Sequence, residues 1–218
     1  VREFFGGAGW TQWPEDIRMH YGFALDYYRE KLYFDVEFQK YLQFKFYEQW
    51  SKLKKYANDK GIQIIGDMPI YVSLDSSDVW ANPELFQLDE NNTPTAIAGC
   101  PPDAFAEDGQ LWGNPLYRWD VMEQENFKWW IDRIASATKI YDAVRIDHFR
   151  GFESYYTIPY GRTDATVGEW RKGPDIKLFK ELKKQLGKQK IIAEDLGFIT
   201  EDVRELLLDT GFPGMKML

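Results

Sequence analysis

The sequence has 218 residues, of which 44% are hydrophobic, so it is long enough for one α/β domain with a large apolar core. Its formal net charge of −8 disfavours nucleic acid and anionic membrane surfaces as partners, because both would repel it. The single cysteine, Cys100, excludes an intrachain disulfide and fits a reducing compartment, and no apolar run is long enough to predict a membrane span.

The first third of the chain predicts one long helix followed by a buried strand. Residues 1–33 are expected to be irregular, apart from a short helix after Pro14. Between 35 and 59, apolar residues recur at spacings of three and four, which predicts a helix with one apolar face. The nearly continuous apolar residues of 62–69 predict a strand that is covered on both faces.

Two stretches rich in aromatic residues, whose apolar residues show neither helical nor strand spacing, lie between the next predicted elements. Residues 73–120 are dense in Pro, Gly, Asn and Asp but carry several aromatic side chains, so we expect an ordered loop standing over a site. A helix is predicted over 123–140 and a strand over 142–147. The second irregular stretch, 149–173, is again rich in aromatic residues.

The last part of the chain continues the alternation of helices and strands. Helices are expected over 175–186 and from a capping Thr200 to residue 209, with strands over 191–193 and 215–218. Strands that alternate with helices indicate a parallel sheet, and four of them make about half of a (β/α)8 barrel. We therefore expect an α/β fold that is part of a TIM barrel, truncated at both ends, with 1–218 as the central portion of one domain.

Carboxylates are predicted at the carboxyl ends of three successive strands, the edge where a barrel of this kind holds its active site: Asp67, Asp147 and Glu194. A doubly wound sheet would bind ligands at the same ends, but no glycine-rich phosphate-binding sequence follows any strand. Asp147 and Glu194 have the residue types that cleave a glycosidic bond, one facing the anomeric carbon and one protonating the leaving oxygen. The alternative is a structural ion pair of Asp147 with Arg145 or Arg150.

The neighbours of these carboxylates suggest how the site would work. Arg145 shares a face of the strand with Asp147 and would keep it ionised. His148 is expected to hydrogen-bond substrate, with a structural role as the alternative. Asp67 is equally compatible with capping a turn, and Asp195 is expected on the opposite face of its strand unless the strand end twists.

Within the long loop, residues 109–115 bring two amides and an indole together: Gln110, Asn114 and Trp112. Such a set suits stacking on sugar rings and recognition of hydroxyl groups, and a loop packed on its own aromatics is the alternative. Cys100 has neither a neighbouring histidine nor a second cysteine, so no nucleophilic or zinc-binding role is predicted for it.

Five motifs, in this order, resemble the 4-α-glucanotransferases, also called amylomaltases or disproportionating enzymes, which form glycoside hydrolase family 77 of the α-amylase clan. The motifs are GDMPIYV at 66–72, GCPPDAF at 99–105, GQLWGNPLY at 109–117, RIDHFRG at 145–151 and AEDLG at 193–197. The resemblance extends from about residue 35 onward, and the five motifs together are highly specific.

The resemblance implies a catalytic (β/α)8 barrel that moves segments of α-1,4-glucans to glucose or another glucan by a retaining double displacement, in starch and maltose metabolism. Asp147 would be the nucleophile and Glu194 the general acid/base. Substrate-binding roles are expected of Arg145, His148, Asp67, Asp103, Gln110, Trp112, Asn114 and Asp195. No metal or cofactor is implied, and the location would be the cytoplasm, or the plastid stroma in a plant or alga.

The resemblance also implies parts that these 218 residues do not contain. A third essential carboxylate, in a His-Asp motif, would follow residue 218, and the first barrel strands would precede residue 1, so the chain is expected to be inactive alone. Three alternatives stay open: an α-amylase-type hydrolase, a barrel lyase with Asp67, Asp147 and Glu194 as Mg²⁺ ligands, and a non-catalytic glucan-binding module.

Overall fold

The computed structural model describes residues 1–104 and 106–216, which form two β-sheets with helices around them. The helices are α1 (Glu15–Arg18), α2 (Gly22–Lys31), α3 (Tyr33–Asp59), α4 (Ser77–Ala81), α5 (Trp119–Gln124), α6 (Lys128–Ile140), α7 (Ile176–Leu186) and α8 (Glu201–Thr210). The strands are β1 (Ile65–Pro69), β2 (Ala96–Cys100), β3 (Gln110–Pro115), β4 (Ala143–Asp147), β5 (Ser154–Pro159), β6 (Glu169–Lys172) and β7 (Ile191–Ala193).

The sheet β1–β4–β7 is parallel, as predicted, and its register aligns the strand ends that carry the catalytic candidates. β4 ends with Asp147, and the residue before it, Ile146, pairs with Ala193 at the end of β7. Glu194 follows Ala193 directly, so the two carboxylates leave neighbouring strands at the same level. Ile146 and Ala193 are both fully buried, which fixes this edge of the sheet in the core.

Amphipathic helices cover the parallel sheet. The helix predicted over 175–186 is confirmed as α7, which buries Leu178, Phe179 and Leu182 and begins where the side chain of Asp175 accepts the N–H of Ile176 at 2.8 Å. The helix predicted to begin after Thr200 is confirmed as α8. The strand predicted at the end of the chain is wrong for residues 215 and 216, and 217–218 lie outside the described residues.

The helix predicted over 123–140 is in fact two helices, α5 and α6. The break falls at Asn126 and Phe127, whose φ angles of 52° and 54° place both in the left-handed region. Phe127 is 3% exposed, so burial of its ring in the core offsets the cost of this backbone turn. The apolar spacing across the break stays regular, which is why the sequence does not reveal it.

The long helix predicted over 35–59 is confirmed as α3, but none of its residues is buried among the described residues. Phe38, Phe46 and Leu53, from its predicted apolar face, remain 57%, 45% and 54% exposed. α1 follows Pro14 as expected, whereas α2 was missed. Only Ala24 is buried in α2, so its sequence lacks the apolar stripe that marks an amphipathic helix.

The two stretches expected to be irregular, 73–120 and 149–173, instead contribute a four-stranded antiparallel sheet in the order β3–β2–β5–β6. The prediction of a loop over 73–120 is therefore wrong in its secondary structure, since this segment also holds α4 and the first residues of α5. The strands are four to six residues long, and all four residues of β6 are exposed. Their residues do not alternate between apolar and polar, which is the pattern that identifies a strand in a sequence.

One large core joins the parallel sheet to the antiparallel sheet. Its largest fully buried side chains include Trp130, Phe149 and Phe152, which follow one another in edge-to-face and tilted contacts with centroids 5.0 to 5.6 Å apart. Across the described ranges no helix combines the length and low polarity needed to cross a bilayer.

Candidate active site

Asp147 ends β4 with its side chain held by Arg145, two residues earlier on the same face, as the strand period predicts. The Nη2 atom of Arg145 donates to Oδ1 of Asp147 at 2.7 Å, and Nη1 donates to Oδ1 of Asp67 at 2.6 Å. Burial lowers the pKa of Arg145, but the two carboxylates outweigh this effect and raise it. The guanidinium therefore stays charged and forms an ion pair with each of the two carboxylates.

The carboxylate of Glu194 is fixed by two backbone N–H groups. Oε2 accepts from the N–H of His148 and Oε1 from the N–H of Leu196, both at 2.9 Å. The main-chain N–H of Glu194 donates to the carbonyl of Ile146 at 3.0 Å, which continues the pairing of β4 with β7. With 9% of the residue exposed, Glu194 presents its carboxylate edge in one orientation next to the end of β4.

His148 follows Asp147 in the left-handed conformation, with φ of 53° and ψ of 48°. Its imidazole meets the Trp112 indole edge to face, with the ring centroids 4.8 Å apart and an interplanar angle of 89°. Burial, reinforced by the charge of Arg150, lowers the pKa of His148 to about 4. The ring is therefore neutral near pH 7 and can donate one hydrogen bond and accept another.

The antiparallel sheet supplies the wall that faces these carboxylates. Trp112 and Gln110 lie on β3, where the indole Nε1 donates to Oε1 of Gln110 at 3.1 Å. Asp103 lies in the turn between β2 and β3, and its Oδ1 accepts the N–H of Ala106 at 2.8 Å. The predicted loop over the site is thus a β-ribbon that carries an indole, an amide and a carboxylate to the end of the parallel sheet.

A cavity of about 690 Å³ lies between the two sheets. It is lined by Cys100, Pro101, Pro102, Asp103, Gln110, Trp112, Arg145, Asp147, His148, Arg150, Trp170, Glu194, Leu196, Gly197 and Phe198. Seven of the ten residues predicted from the sequence are among them. A slightly larger cavity, about 790 Å³, lies between α7 and α8, away from the strand ends that carry the carboxylates.

Three predicted residues do not line the cavity. Asp67 lies within β1, two residues before its end, and reaches the site only through its bond to Arg145. The Nδ2 atom of Asn114 donates to the carbonyl of Val72 at 2.9 Å, so this amide ties β3 to the segment after β1. Oδ1 of Asp195 accepts the backbone N–H of Met215 at 2.7 Å, which places this carboxylate against the chain that follows α8.

Several lining residues were not predicted as part of the site, and Arg150, Trp170 and Phe198 matter most. Arg150 is 5% exposed, with Cζ 4.0 Å from the centroid of the Trp170 ring. Arg150 lies within a recognised motif and Trp170 within an aromatic stretch, but only the pairing of β5 with β6 brings them together. Burial raises the pKa of Cys100 to about 11, so its thiol stays protonated near pH 7.

The geometry gives the metal-dependent alternative no support. The guanidinium of Arg145 lies between Asp67 and Asp147, at the point where a cation shared by the two carboxylates would have to sit. In the part of the chain that the structure describes, no three His, Cys, Asp or Glu side chains are grouped as metal ligands.

Comparison with known proteins decides the family. The family model described as 4-alpha-glucanotransferase, glycoside hydrolase family 77, matches residues 1–218. The chain belongs to this family. It is 56% identical over its whole length to the 4-alpha-glucanotransferase of Streptococcus pneumoniae, and 49% identical over 98% of its length to that of Thermus thermophilus. It spans 43% of the length of each of these two proteins.

Solved structures of the family agree with the fold. The amylomaltase from Streptococcus agalactiae, in complex with acarbose, matches 99% of this chain with 51% identity and a TM-score of 0.95. The chain covers 44% of that amylomaltase, so the described α/β fold is part of a TIM barrel. The amylomaltase from Corynebacterium glutamicum shares the fold at 23% identity, with a TM-score of 0.69 over 80% of the chain.

Proposed function

We propose that the protein acts as a 4-α-glucanotransferase, which moves segments of α-1,4-glucans to glucose or another glucan. The observation that carries this proposal is the placement of Asp147 and Glu194 at adjacent parallel strand ends, in one cavity with an indole, an imidazole and an amide. Family membership and the acarbose complex of the S. agalactiae amylomaltase support it. A neutral glucan also suits a chain with a net charge of −8.

In the first half of the proposed reaction, Asp147 attacks the anomeric carbon and forms a covalent bond to it, while the bond from that carbon to the leaving oxygen breaks. Glu194 donates a proton to the leaving oxygen. Arg145 orients Asp147 before attack through its hydrogen bond to Oδ1. The neutral imidazole of His148 and the amide of Gln110 bind sugar hydroxyls, and the Trp112 indole covers the apolar face of the ring.

In the second half, the Glu194 carboxylate takes a proton from the hydroxyl of an acceptor sugar, whose oxygen attacks the anomeric carbon and releases Asp147. The configuration is retained because displacement occurs twice. Asp103 extends the substrate cleft from the turn of the β-ribbon. We assign Asp67, Asn114 and Asp195 indirect roles, since each holds a neighbouring group and none lines the cavity.

At the level of the chain, we propose that residues 1–218 form the central portion of a single catalytic barrel domain, with 73–120 as the insertion over its active site. A third carboxylate from outside this range would complete the site. We also propose a cytoplasmic location with reduced thiols, which the single cysteine supports.

The test is disproportionation of maltotriose by the full-length gene product. We expect glucose together with maltooligosaccharides longer than the donor, and unchanged products after EDTA treatment. Hydrolysis products alone would contradict transfer and favour the α-amylase-type alternative. Loss of activity with EDTA would revive the metal-dependent one.

The same assay tests the catalytic pair with nearly isosteric variants. Asp147→Asn removes the nucleophile, and Glu194→Gln removes the proton donor, so each should lower turnover by at least about 100-fold, the lower end for general acid–base catalysis. Glu201→Gln, which alters an exposed carboxylate in the first turn of α8, is the matched control and should retain full activity. Wild-type rates in either active-site variant, with folding unchanged by circular dichroism, would refute the assignment.

A further inference from the structure

We propose that Trp170 and Phe198 form the platform that binds the acceptor sugar, and that Arg150 is the positioning residue that fixes both of them. The inference rests on the proposed transfer reaction and adds to it the residues that favour a sugar hydroxyl over water as acceptor.

The platform lies on the side of the cavity that belongs to Glu194. The N–H of Leu196 donates to Oε1 of Glu194 at 2.9 Å, and Phe198 follows two residues later on the same short segment. A general acid that protonates the leaving oxygen later deprotonates the incoming hydroxyl at the same place. The surface next to Glu194 therefore contacts first the leaving sugar and then the acceptor.

Two large aromatic rings lie in this part of the cavity wall with much of their surface uncovered. Trp170 is 41% exposed and Phe198 is 77% exposed. Aromatic rings that line a concave surface offer apolar area that a ligand can cover. Sugars offer an apolar face of C–H groups to such rings while their hydroxyls stay available for hydrogen bonds.

Arg150 contacts both residues of the platform, through the ring of Trp170 and through the main chain of Phe198. Its Cζ lies 4.0 Å from the centroid of the Trp170 ring, and its Nη1 donates to the carbonyl oxygen of Phe198 at 2.5 Å. The residue is 5% exposed, and within the described residues its Nε has no hydrogen-bond partner. A buried guanidinium is costly, and this one directs its contacts to the two aromatic residues of the platform.

The hydrogen bonds of Arg150 lead through Ser154 to the buried carboxylate of Glu153 and involve neither catalytic carboxylate. Its Nη2 donates to Oγ of Ser154 at 3.0 Å, and Ser154 donates to Oε2 of Glu153 at 2.5 Å. Glu153 is 2% exposed and also pairs with Lys172, which lies two residues after Trp170 on β6. These contacts connect Arg150 to the antiparallel sheet, whereas Asp147 pairs with Arg145.

Acceptor kinetics of the full-length gene product test the proposal, with maltotriose as donor and labelled glucose as acceptor. We expect Trp170→Ala and Phe198→Ala each to raise the acceptor KM by about tenfold, as loss of about 1.4 kcal/mol of stacking would. High glucose should restore transfer. Tyr160→Ala is the control, because this aromatic residue, which directly follows β5, is 51% exposed and does not line the cavity.

Arg150→Lys keeps the charge but removes the planar group that stacks on Trp170 and reaches Phe198, so we expect it to raise the acceptor KM as much as the ring variants. A merely structural role would lower thermal stability and turnover without changing the acceptor KM. An unchanged acceptor KM in both Trp170→Ala and Phe198→Ala, with wild-type protein active in transfer, would overturn the platform. Failure of the proposed function is a different result, in which wild-type protein makes hydrolysis products alone.

Discussion

His148 serves the site through its backbone as well as its ring. Its left-handed conformation directs the main-chain N–H to Glu194, while the imidazole packs on Trp112. The sequence could predict that Arg145 and Asp147 share a face, because side chains alternate along a strand. It could not predict the positive φ at His148, because histidine is enriched in this conformation but adopts it at only a small fraction of positions.

The buried imidazole gives a prediction about stability and pH. The pKa of His148 is about 4 in the folded protein and about 6.5 in an unfolded chain, so protons bind preferentially to the unfolded state. The stability it contributes is complete above about pH 6.5 and is lost as the pH falls towards 4. His148→Asn, a residue that tolerates positive φ, should remove roughly 3 kcal/mol of this pH dependence.

Urea unfolding of wild-type and His148→Asn protein between pH 7 and pH 4 measures the effect. The second histidine, His20, also has a pKa lowered by burial, but it is common to both proteins and cancels in the difference. If the free energy of unfolding changed with pH by the same amount in both proteins, the imidazole of His148 would titrate normally in the folded state.

At the scale of elements, the sequence predicted the helices and strands whose apolar residues form a clear pattern, and it missed those whose residues do not. β4 is a short apolar strand that ends in a carboxylate, and α7 has a sharp apolar stripe. The antiparallel sheet is held by pairing between segments far apart in the chain, such as Ile97 with Ile158. Its strands alternate too little to be read locally, so the cavity wall formed by Arg150 and Trp170 was missed with them.

β1 depends on a close approach that only glycine allows. A Cβ atom at Gly66 would lie 2.0 Å from the ring of Tyr141, the residue that follows α6. Gly66→Ala should therefore destabilise the protein by about 1–3 kcal/mol through overpacking, as measured by thermal or urea unfolding. Gly22→Ala is the matched control, because a Cβ there meets no atom within 4 Å, and it should be neutral or stabilising.

The cause of the Gly66 effect can be isolated with a double-mutant cycle. Tyr141→Ala removes the ring against which the new methyl group would clash. Gly66→Ala should therefore cost less in that background than in wild-type protein. Equal costs in both backgrounds would mean that the strand resists the methyl group for a reason other than this contact.

At the scale of the molecule, the two sheets contribute different parts of the candidate site. The parallel sheet presents Asp147 and Glu194 at one edge, and the antiparallel sheet brings β3 across that edge. The segment 73–120, predicted as an ordered loop over the site, instead contains β2 and β3, which pair with each other, and β2 pairs in turn with β5. In the proposed transfer reaction, a hydrogen-bonded ribbon that holds the Trp112 indole over the site would exclude water from the covalent intermediate between the two displacement steps.

We therefore predict that β3, which lies across the site, sets the ratio of transfer to hydrolysis, and that the pair of Asp147 and Glu194 does not. Trp112→Ala should raise the absolute rate of hydrolysis of the intermediate, since removing the indole opens the space beside His148 to water. Leu111→Ala is the control, because Leu111 is the preceding residue on β3, is 37% exposed and does not line the cavity. Products from maltotriose, measured over a range of glucose concentrations, separate this effect from weak acceptor binding: water entry raises hydrolysis even without added acceptor, whereas a damaged acceptor platform is rescued by high glucose. An unchanged hydrolysis rate in Trp112→Ala would assign the exclusion of water to another part of the protein.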